Sequence, residues 1–255
     1  MAPRGPAPAT PGLNSLPGVA GAQEFWDDRA DEDAFFFVDN RLTYGAPDLD
    51  RFWAEGERDL ATLLDIAGRS IEPGDEAVEI GCGVGRLTRV IARSAASVRA
   101  IDVSPRMIEL AREHNSGLTQ VEWIVGNGSS LAGVDDASAD VCVSHVVFQH
   151  IPDPDVTLGY VRDIGRVLRP GGWAVFQVSN DPAVHNGRSG LRRVRDRAMA
   201  LAGRGPRGQR NPAWMGSAVK LDELRAAVAD GGMDVDKLSG EGTQYCVAVT
   251  RKRAS

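Results

Sequence analysis

The feature that most constrains this chain is a regular alternation of short apolar segments with helix-like segments from residue 76 to residue 180. The apolar segments are almost continuous in apolar residues, which is typical of strands that are buried on both faces of a parallel sheet. Strands are predicted at 77–80, 98–103, 120–125, 140–147 and 173–178, with helices between them at 86–95, 105–114 and 156–168. The pattern therefore predicts an α/β fold whose parallel sheet is covered by helices on both sides.

The segments outside this alternation divide the chain into regions. Residues 1–22 are mainly Ala, Pro and Gly and are expected to form a disordered tail, because they lack the apolar surface that would offset the entropy of ordering. Residues 23–70 combine clustered aromatic side chains with a helical pattern that ends near Gly68, and are expected to form a lid segment. Residues 71–255 form the main domain, with a cap insertion at 181–217 that is rich in Arg, Gly and Pro.

The end of the main domain has its own pattern. An LRPGG turn is predicted at 168–172, directly before the fifth strand. After the insertion come a predicted helix at 220–230 and two predicted strands near 233–238 and 243–250.

A glycine-rich loop follows the first strand and opens the next helix. Its glycines are Gly81, Gly83 and Gly85, and Asp102 stands at the end of the second strand. Glycines at this place let a backbone approach a nucleotide, and a carboxylate there accepts hydrogen bonds from a ribose diol. A tight turn would explain the glycines alone, but together with the carboxylate they predict a nucleotide-type cofactor. Arg86 stands where the dinucleotide fingerprint requires its third glycine, which argues against a nicotinamide oxidoreductase.

Five segments together resemble the class I S-adenosylmethionine-dependent methyltransferases. They are VEIGCGVGRLT (78–88), RAIDVSPRMIELAR (99–112), IVGNGSSL (124–131), ADVCVSHVVFQHIPDP (139–154) and VLRPGGWAVFQ (167–177), in the order and spacing of that family. The nearest resemblance is to small-molecule methyltransferases of the ubiquinone and natural-product tailoring kind. It implies a Rossmann-like doubly wound sheet of seven strands, mostly parallel with an antiparallel last strand, and S-adenosyl-L-methionine as the cofactor.

The resemblance also implies roles for residues of the first two segments. The backbone of Gly81 and Gly83 would line the methionine part of the cofactor, and Glu79 would receive its ammonium group. Asp102 would hold the ribose hydroxyls, and Met107 would lie against the adenine ring.

On the adenine side the chain departs from the family pattern. Asn127 stands where the family often has an aspartate that reads the adenine amino group. An amide oxygen can still accept that hydrogen bond, although without the help of a charge. The other residues expected to bind the cofactor are Cys82, Gly85, Gly128 and Ser144.

Methyl transfer needs a general base only when the accepting atom still carries its proton, as in an alcohol or phenol. His145 and His150 come at or after the end of the fourth strand, at the edge where a substrate of this fold binds, and are the candidate bases. His150 also has a structural interpretation, because relatives with unlike substrates share a histidine in its motif, and His145 is placed where it could face the cofactor pocket. His114 is expected to be structural at a helix end, and His185 lies in the insertion. No metal site is expected.

Composition limits the range of partners. The formal net charge of −6 and the pI of about 5.3 argue against DNA and anionic membranes. No apolar run reaches the roughly 18 residues that a membrane-spanning helix needs. The three cysteines lack disulfide or metal spacing, so free thiols and a cytoplasmic location are expected.

The sequence therefore predicts a methyltransferase for a small-molecule acceptor, at oxygen, in natural-product biosynthesis. Four arginines flank an apolar helical face at 191–202 in the insertion, so an anionic or carrier-bound acceptor is one hypothesis and solvated arginines on a lid helix are the other. The alternatives are a nitrogen or carbon acceptor, a peptide or RNA acceptor, and a catalytically silent cofactor-binding partner subunit. The oligomeric state is left open.

Overall fold

The computed structural model describes residues 17–185 and 211–254, which form a seven-stranded sheet with helices on both faces. The strands are β1 (Glu76–Ile80), β2 (Ser97–Asp102), β3 (Val121–Val125), β4 (Ala139–Ser144), β5 (Leu168–Val178), β6 (Met233–Ser239) and β7 (Cys246–Lys252). The helices are α1 (Pro17–Val38), α2 (Leu49–Ala67), α3 (Thr88–Ile91), α4 (Pro105–His114), α5 (Pro154–Val167), α6 (Pro182–His185), α7 (Pro212–Met215) and α8 (Leu221–Asp230). A 3-10 turn, Phe148–His150, follows β4.

The strand order is β3-β2-β1-β4-β5-β7-β6. The first five strands pair in parallel, and β7 is antiparallel to both β5 and β6. This confirms the predicted Rossmann-like, mostly parallel sheet. The strand order reverses between β1 and β4, and in open sheets of this kind ligands bind at the carboxyl ends of the strands beside that reversal.

Local sequence signals explain the helix ends closest to this edge. The side chain of Ser104 accepts a hydrogen bond from the backbone of Met107, and Pro105 occupies the first turn, so α4 begins directly after β2. Asp48 caps α2 at its start, and Gly68 ends α2 in the left-handed conformation with φ of 61°. The predicted end of this helix at Gly68 is confirmed.

Each face of the sheet carries an apolar core. Phe176 and Leu224 are fully buried on the face covered by α5 and α8. Leu60 and Ile108 are buried on the opposite face, under α2, α3 and α4. The three cysteines are all buried and free, as expected from their spacing.

The predicted tail of residues 1–22 was wrong at its end, because α1 begins at Pro17. Proline is favourable in the first turn of a helix, where no backbone N–H is required. The segment after it is helical up to a kink at Asp33, whose φ of −169° and ψ of 80° are not helical, and is helical again through Val38. Residues 1–16 lie outside the described residues, and so does the helix predicted at 191–202.

Three other boundaries differ from their predictions. The predicted helix at 86–95 is reduced to α3, within a series of turns. Strand β4 ends at Ser144 rather than at residue 147, because Val146 adopts a positive φ of 57° that no strand residue has. The predicted LRPGG turn lies inside β5 as an irregularity, since Ala139 pairs with Leu168 but Val141 pairs with Trp173.

No helix among residues 17–185 and 211–254 is long and apolar enough to cross a membrane.

Candidate active site

The glycine-rich loop lies at the reversal of the strand order, between β1 and α3. Gly81, Gly83 and Gly85 all have positive φ, at 73°, 53° and 86°. A Cβ added to Gly81 would lie 2.2 Å from the side chain of Val147, and one added to Gly83 would lie 2.7 Å from Val38. Glycine is therefore required both by the turn and by the close approach of the loop after β4 and of α1.

Four backbone N–H groups of this loop are already bound within the protein. Gly81 and Cys82 both donate to the carbonyl of Ile101, at 2.7 and 3.0 Å. Gly83 donates to the carboxylate of Asp102 at 2.8 Å, and Gly85 donates to the carbonyl of Cys82 at 2.9 Å. A pyrophosphate would need free N–H donors here.

The carbonyl oxygen of Gly81, in contrast, has no hydrogen-bond donor near it among the described residues. A carbonyl oxygen accepts hydrogen bonds from a cation such as an ammonium group. The loop thus fits the ammonium end of S-adenosylmethionine and does not fit the phosphates of a dinucleotide.

Asp102 occupies the position that a ribose-binding carboxylate needs. One of its oxygens accepts from the N–H of Gly83 and the other accepts from the N–H of Ser104 at 3.0 Å. Each oxygen keeps lone-pair capacity for a further donor, so two ribose hydroxyls fit the remaining positions. Burial raises the pKa of this carboxyl group, and the nearby carboxylate of Asp27 adds to the increase.

Glu79 lies beneath the loop and is almost fully enclosed, with 4% of its surface exposed. Its carboxylate accepts a hydrogen bond from the hydroxyl of Thr88 at 2.5 Å. Burial raises the pKa of Glu79 to about 7, against the opposing effects of Thr88 and Arg86. A cation bound nearby would favour the ionised form.

The structure uses several predicted cofactor residues differently. The Asn127 amide oxygen, predicted to read adenine, already accepts from the backbone N–H groups of Ser129 and Ser130, both at 2.9 Å. The hydroxyl of Ser144 donates to the carbonyl of Ile80 at 3.1 Å, and only 1% of Ser144 is exposed. Strand and loop contacts use the polar atoms of Asn127 and Ser144, and their cofactor-binding roles stay predictions.

Three predicted residues offer the backbone or an apolar surface instead. The thiol of Cys82 is buried in the core, and burial raises its pKa well above the usual value. Gly128 has a φ of 76° in the loop after β3. Met107 is buried beside the glycine loop in a small cluster with Phe52 and Val84.

Hydrogen-bond partners and aromatic rings surround the imidazole of His150. Its Nδ1 lies 2.9 Å from the carbonyl of Trp214, and its Nε2 lies 3.3 Å from the amide nitrogen of Gln149. Its ring contacts the rings of Trp26 and Trp214 at centroid distances of 5.5 and 5.3 Å. This enclosure lowers the pKa of His150 to about 4. The ring is therefore neutral at physiological pH and joins three segments of the chain.

His145 is held from one side. Its Nε2 lies 3.7 Å from a carboxylate oxygen of Asp59 on α2. Its Nδ1 is buried and has no hydrogen-bond partner among the described residues. The carboxylate favours the tautomer with hydrogen on Nε2, so Nδ1 presents a lone pair.

A charge cluster that the sequence analysis did not identify connects the N-terminal segment to this edge. Arg86, which is 5% exposed, lies 2.5 Å from Asp59 and 3.7 Å from Asp39. Arg41 bonds both of those carboxylates at 2.7 Å. Hydrogen bonds and nearby arginines hold the pKa of Asp59 below its usual value despite burial. The sequence does show that Arg86 replaces a glycine of the dinucleotide fingerprint. It does not show that Asp39 and Asp59 are the carboxylates that pair with it.

The aromatic side chains predicted to form a lid do lie at this edge. Trp26 contacts His150, and Phe37 contacts Trp214 at a centroid distance of 5.6 Å. Asp27 accepts hydrogen bonds from the hydroxyl of Ser104 at 2.5 Å and from the backbone of Arg106 at 3.1 Å. Helix α1 therefore packs beside Asp102 and over the turn after β4.

Comparison with known proteins agrees with this geometry. A family model described as a methyltransferase domain matches residues 78–176. Ubiquinone biosynthesis O-methyltransferase of Xanthomonas campestris pv. campestris is 34% identical over 116 residues, which are 45% of this chain and 47% of that protein. Demethylmenaquinone methyltransferase of Tropheryma whipplei is 32% identical over 102 residues, which are 40% of this chain and 41% of that protein. The matched region thus spans about half the length of these curated relatives or less.

Solved structures share the fold over more of the chain. Phosphoethanolamine N-methyltransferase 1 of Haemonchus contortus, in complex with phosphoethanolamine and S-adenosylhomocysteine, superposes with a TM-score of 0.66. The superposition covers 92% of this chain and 49% of that chain, at 18% sequence identity. The matched family model, the sheet topology and the glycine loop agree, because residues 78–176 resemble a methyltransferase domain and lie in a Rossmann-like sheet.

Proposed function

We propose that this protein transfers a methyl group from S-adenosylmethionine to a small-molecule acceptor, at an oxygen atom. The observation that carries the proposal is the glycine loop, in which four N–H groups are bound within the protein while no donor among the described residues reaches the carbonyl of Gly81. Asp102 supplies the two acceptors that a ribose diol requires. The named relatives support the methyl-transfer chemistry.

When bound, S-adenosylmethionine supplies a methyl group that its positively charged sulfur activates. The protein's part is to orient the accepting atom and to exclude water. Asp102 and the glycine loop fix one reactant. Trp26, Phe37 and Trp214 close the edge above His150 and keep water away from it.

The proton of a hydroxyl acceptor needs a receiving group. His150 is a weak candidate, because its two nitrogens face the Trp214 carbonyl and Gln149 and its pKa is about 4. His145 is the better candidate, since Nδ1 carries a free lone pair and Asp59 faces Nε2. The arrangement is a carboxylate that orients an imidazole, as in other activated bases.

Oxygen is the preferred accepting atom because the Xanthomonas relative is named an O-methyltransferase. The two curated relatives take their names from ubiquinone and menaquinone, which supports an acceptor with an aromatic ring. A role in natural-product biosynthesis and a cytoplasmic location stay predictions. So does an anionic or carrier-bound acceptor, whose arginines at 192–197 lie outside the described residues.

The test has two parts. Calorimetry should show that S-adenosylhomocysteine binds and that NADH does not. Methyl-labelled S-adenosylmethionine should then be incubated with the protein and a mixture of phenols, alcohols and amines, and the products extracted and counted. Labelled product on a phenol or alcohol is expected. Binding of NADH in place of S-adenosylhomocysteine would refute the cofactor, and cofactor binding without labelled product would favour a catalytically silent partner subunit.

A further inference from the structure

We propose that helix α1 is a clamp on the carboxylate of Asp102, and that Asp27 in its first half and Val38 at its end are positioning residues for the ribose of the cofactor. This rests on the proposed function and adds how the ribose diol is selected. The clamp acts through Gly83 and Ser104, the two residues whose N–H groups hold Asp102.

The direction of the Asp102 carboxylate depends on those two N–H groups. Gly83 donates to one of its oxygens at 2.8 Å, and Ser104 donates to the other at 3.0 Å. A carboxylate that accepts from two adjacent hydroxyls must present a free lone pair of each oxygen on the same side. Any group that fixes Gly83 and Ser104 therefore also fixes the ribose site.

Ser104 is held from α1 by the carboxylate of Asp27. The Ser104 hydroxyl donates to Oδ1 of Asp27 at 2.5 Å and accepts from the backbone N–H of Met107 at 3.0 Å. The same Oδ1 also accepts from the backbone N–H of Arg106 at 3.1 Å. Ser104 has no exposed surface, so its hydroxyl hydrogen would lose its partner if Asp27 were removed.

Gly83 is held from α1 by the side chain of Val38. A Cβ added to Gly83 would lie 2.7 Å from Cγ2 of Val38, so the loop and the end of the helix are in direct contact. Val38 itself packs against the small apolar cluster that contains Phe52 and Met107. Because this contact is close-packed, Gly83 cannot move towards α1 without displacing Val38.

A kink lets one helix reach both residues. At Asp33 the φ of −169° and ψ of 80° interrupt the helix. The Asp33 carboxylate accepts from the N–H of Phe36 at 3.1 Å, which caps the second half of α1, and from the N–H of Gly45 at 2.7 Å. Specific hydrogen bonds therefore build the bend, after which the second half of α1 follows the glycine loop while the first half follows the start of α4.

The other explanation for α1 is a cover that only excludes water. A cover packs through apolar side chains, as Trp26 and Phe37 do with Trp214. It has no need of a carboxylate beside Asp102, because burial and, in addition, the charge of Asp27 raise the pKa of Asp102 and disfavour its ionised form. The hydrogen bonds from Ser104 and Arg106 explain why an acid stands at this place.

The test measures the preference for the ribose diol, which a loss of packing alone would not change. Adenosine and 2′,3′-dideoxyadenosine differ only in the two ribose hydroxyls. Each is used to displace S-adenosylhomocysteine from the full-length chain in a competitive calorimetric titration. The wild-type protein should prefer adenosine at least about tenfold, since two hydrogen bonds to a charged acceptor are lost in the dideoxy compound.

Variants at the two ends of the clamp should reduce this preference. Asp27→Ala should lower it about three- to tenfold, because Ser104 loses its acceptor and Asp102 is less well fixed. Asp27→Asn keeps an oxygen for the same donors and should stay within about twofold of the wild type. Asp28→Ala is the matched control, since Asp28 is the next residue of the same helix and is exposed. Its preference should be that of the wild type.

Val38→Ala tests the clamp at its other end and does not depend on how well Asp27→Ala folds. It removes the contact with Gly83, so the preference for adenosine should fall in the same direction, by about two- to fivefold. Circular dichroism and urea unfolding of each variant show that the titrated protein is folded.

Four results would overturn the proposal. A loss of affinity for both nucleosides by the same factor in Asp27→Ala and Val38→Ala would make α1 a cover only. A wild-type preference in both folded variants would mean that Asp102 is fixed without α1. A fall in Asp27→Asn as large as in Asp27→Ala would assign the effect to charge. Equal displacement by the two nucleosides from the wild-type protein, including none by either, would remove the diol from the account.

The proposed function has a separate outcome in the same experiment. Failure of the wild-type protein to bind S-adenosylhomocysteine at all would refute the cofactor itself. Binding of S-adenosylhomocysteine together with any of the four results above would refute only the clamp.

Discussion

The two halves of the central sheet treat their buried polar groups in opposite ways. At the carboxyl ends of β1 and β2, the N–H groups of Gly81, Cys82, Gly83 and Gly85 are bound, and Asp102 accepts two of the protein's own hydrogen bonds. At the ends of β4 and β5, His145 and Gln177 each leave a buried acceptor without a partner in the described chain. The protein itself satisfies most polar groups of the first half, although Nε of Arg86 is buried without a hydrogen-bond partner among the described residues. We propose that a ligand completes the second half.

The difference has an energetic meaning. An unsatisfied buried acceptor costs about 1–3 kcal/mol, and two at adjacent positions are expensive for a fold of ordinary stability. A buried polar group without a partner in the protein is explained by strain, by a catalytic role or by a bound water or ion. Under the proposed function, the ends of β1 and β2 form the cofactor half of the site, and the ends of β4 and β5 form its acceptor half.

The largest expected effect is in the acceptor half. His145→Asn should lower kcat roughly 10²- to 10⁴-fold, the usual contribution of a positioned base, with the cofactor dissociation constant within twofold of the wild type. Steady-state rates with the acceptor found in the labelling screen measure it. A decrease under fivefold would remove His145 from the reaction and leave proximity as the mechanism.

A smaller effect is expected in the cofactor half. Asp102→Ala removes two hydrogen bonds of a charged acceptor, so the affinity for S-adenosylhomocysteine should fall at least about tenfold. Asp102→Asn retains one acceptor, so its affinity for S-adenosylhomocysteine should lie between those of Asp102→Ala and the wild type in the same calorimetric titration. Unchanged affinity in Asp102→Ala would place the ribose elsewhere.

Replacing Glu79 with Gln should raise the stability of the protein and weaken its binding of the cofactor. The folded pKa of Glu79, about 7, is above the ordinary value of 4.5, so the folded state favours the protonated form, and the stability this gives is complete below about pH 4.5 and lost as the pH rises through 7. Glu79→Gln cannot ionise and should gain about 2 kcal/mol of unfolding free energy over the wild type between pH 5.5 and pH 8. Urea unfolding at both pH values measures this.

The same substitution should weaken cofactor binding, because the ionised carboxylate attracts the ammonium group. The loss should be about tenfold at pH 8 and smaller at pH 5.5, where the wild type is itself protonated. Glu122→Gln, on the exposed edge strand, is the control for surface charge. An equal loss at both pH values would mean that Glu79 acts through packing.

The smallest effect is expected at His150. His150→Phe keeps a ring between Trp26 and Trp214 and removes the contact with the Trp214 carbonyl. We expect kcat to change less than fivefold and the pH profile to keep its shape, since the enclosed imidazole has a pKa of about 4 and does not titrate near neutrality. A loss of a hundredfold would return the base to His150 and reverse the roles of the two histidines.

The sequence predicts the positions of the cofactor-binding residues better than those of the residues at the ends of β4 and β5. Strand-loop-helix signals around Gly81 and Asp102 are local, so the cofactor edge could be placed from neighbouring residues alone. The sequence does not show that the polar atoms of Ser144 and Asn127 have partners that only the folded chain brings near, the Ile80 carbonyl and the loop after β3.

The acceptor half depends on long-range register. The proximity of His145 and Gln177 follows from the pairing of β4 with β5, and the role of Asp59 follows from the packing of α2 on that face. Trp214 meets His150 across 64 residues of chain. A single sequence carries no periodic signal for such contacts.

A crystal structure of the protein with S-adenosylhomocysteine tests the contrast between the halves most directly. The account predicts the ammonium group at the carbonyl of Gly81, the ribose hydroxyls on Asp102, and both Nδ1 of His145 and Oε1 of Gln177 free of the ligand. An ammonium group bound to His145 and Gln177 would contradict it, since the unpartnered acceptors would then belong to the cofactor and the two halves would be one site.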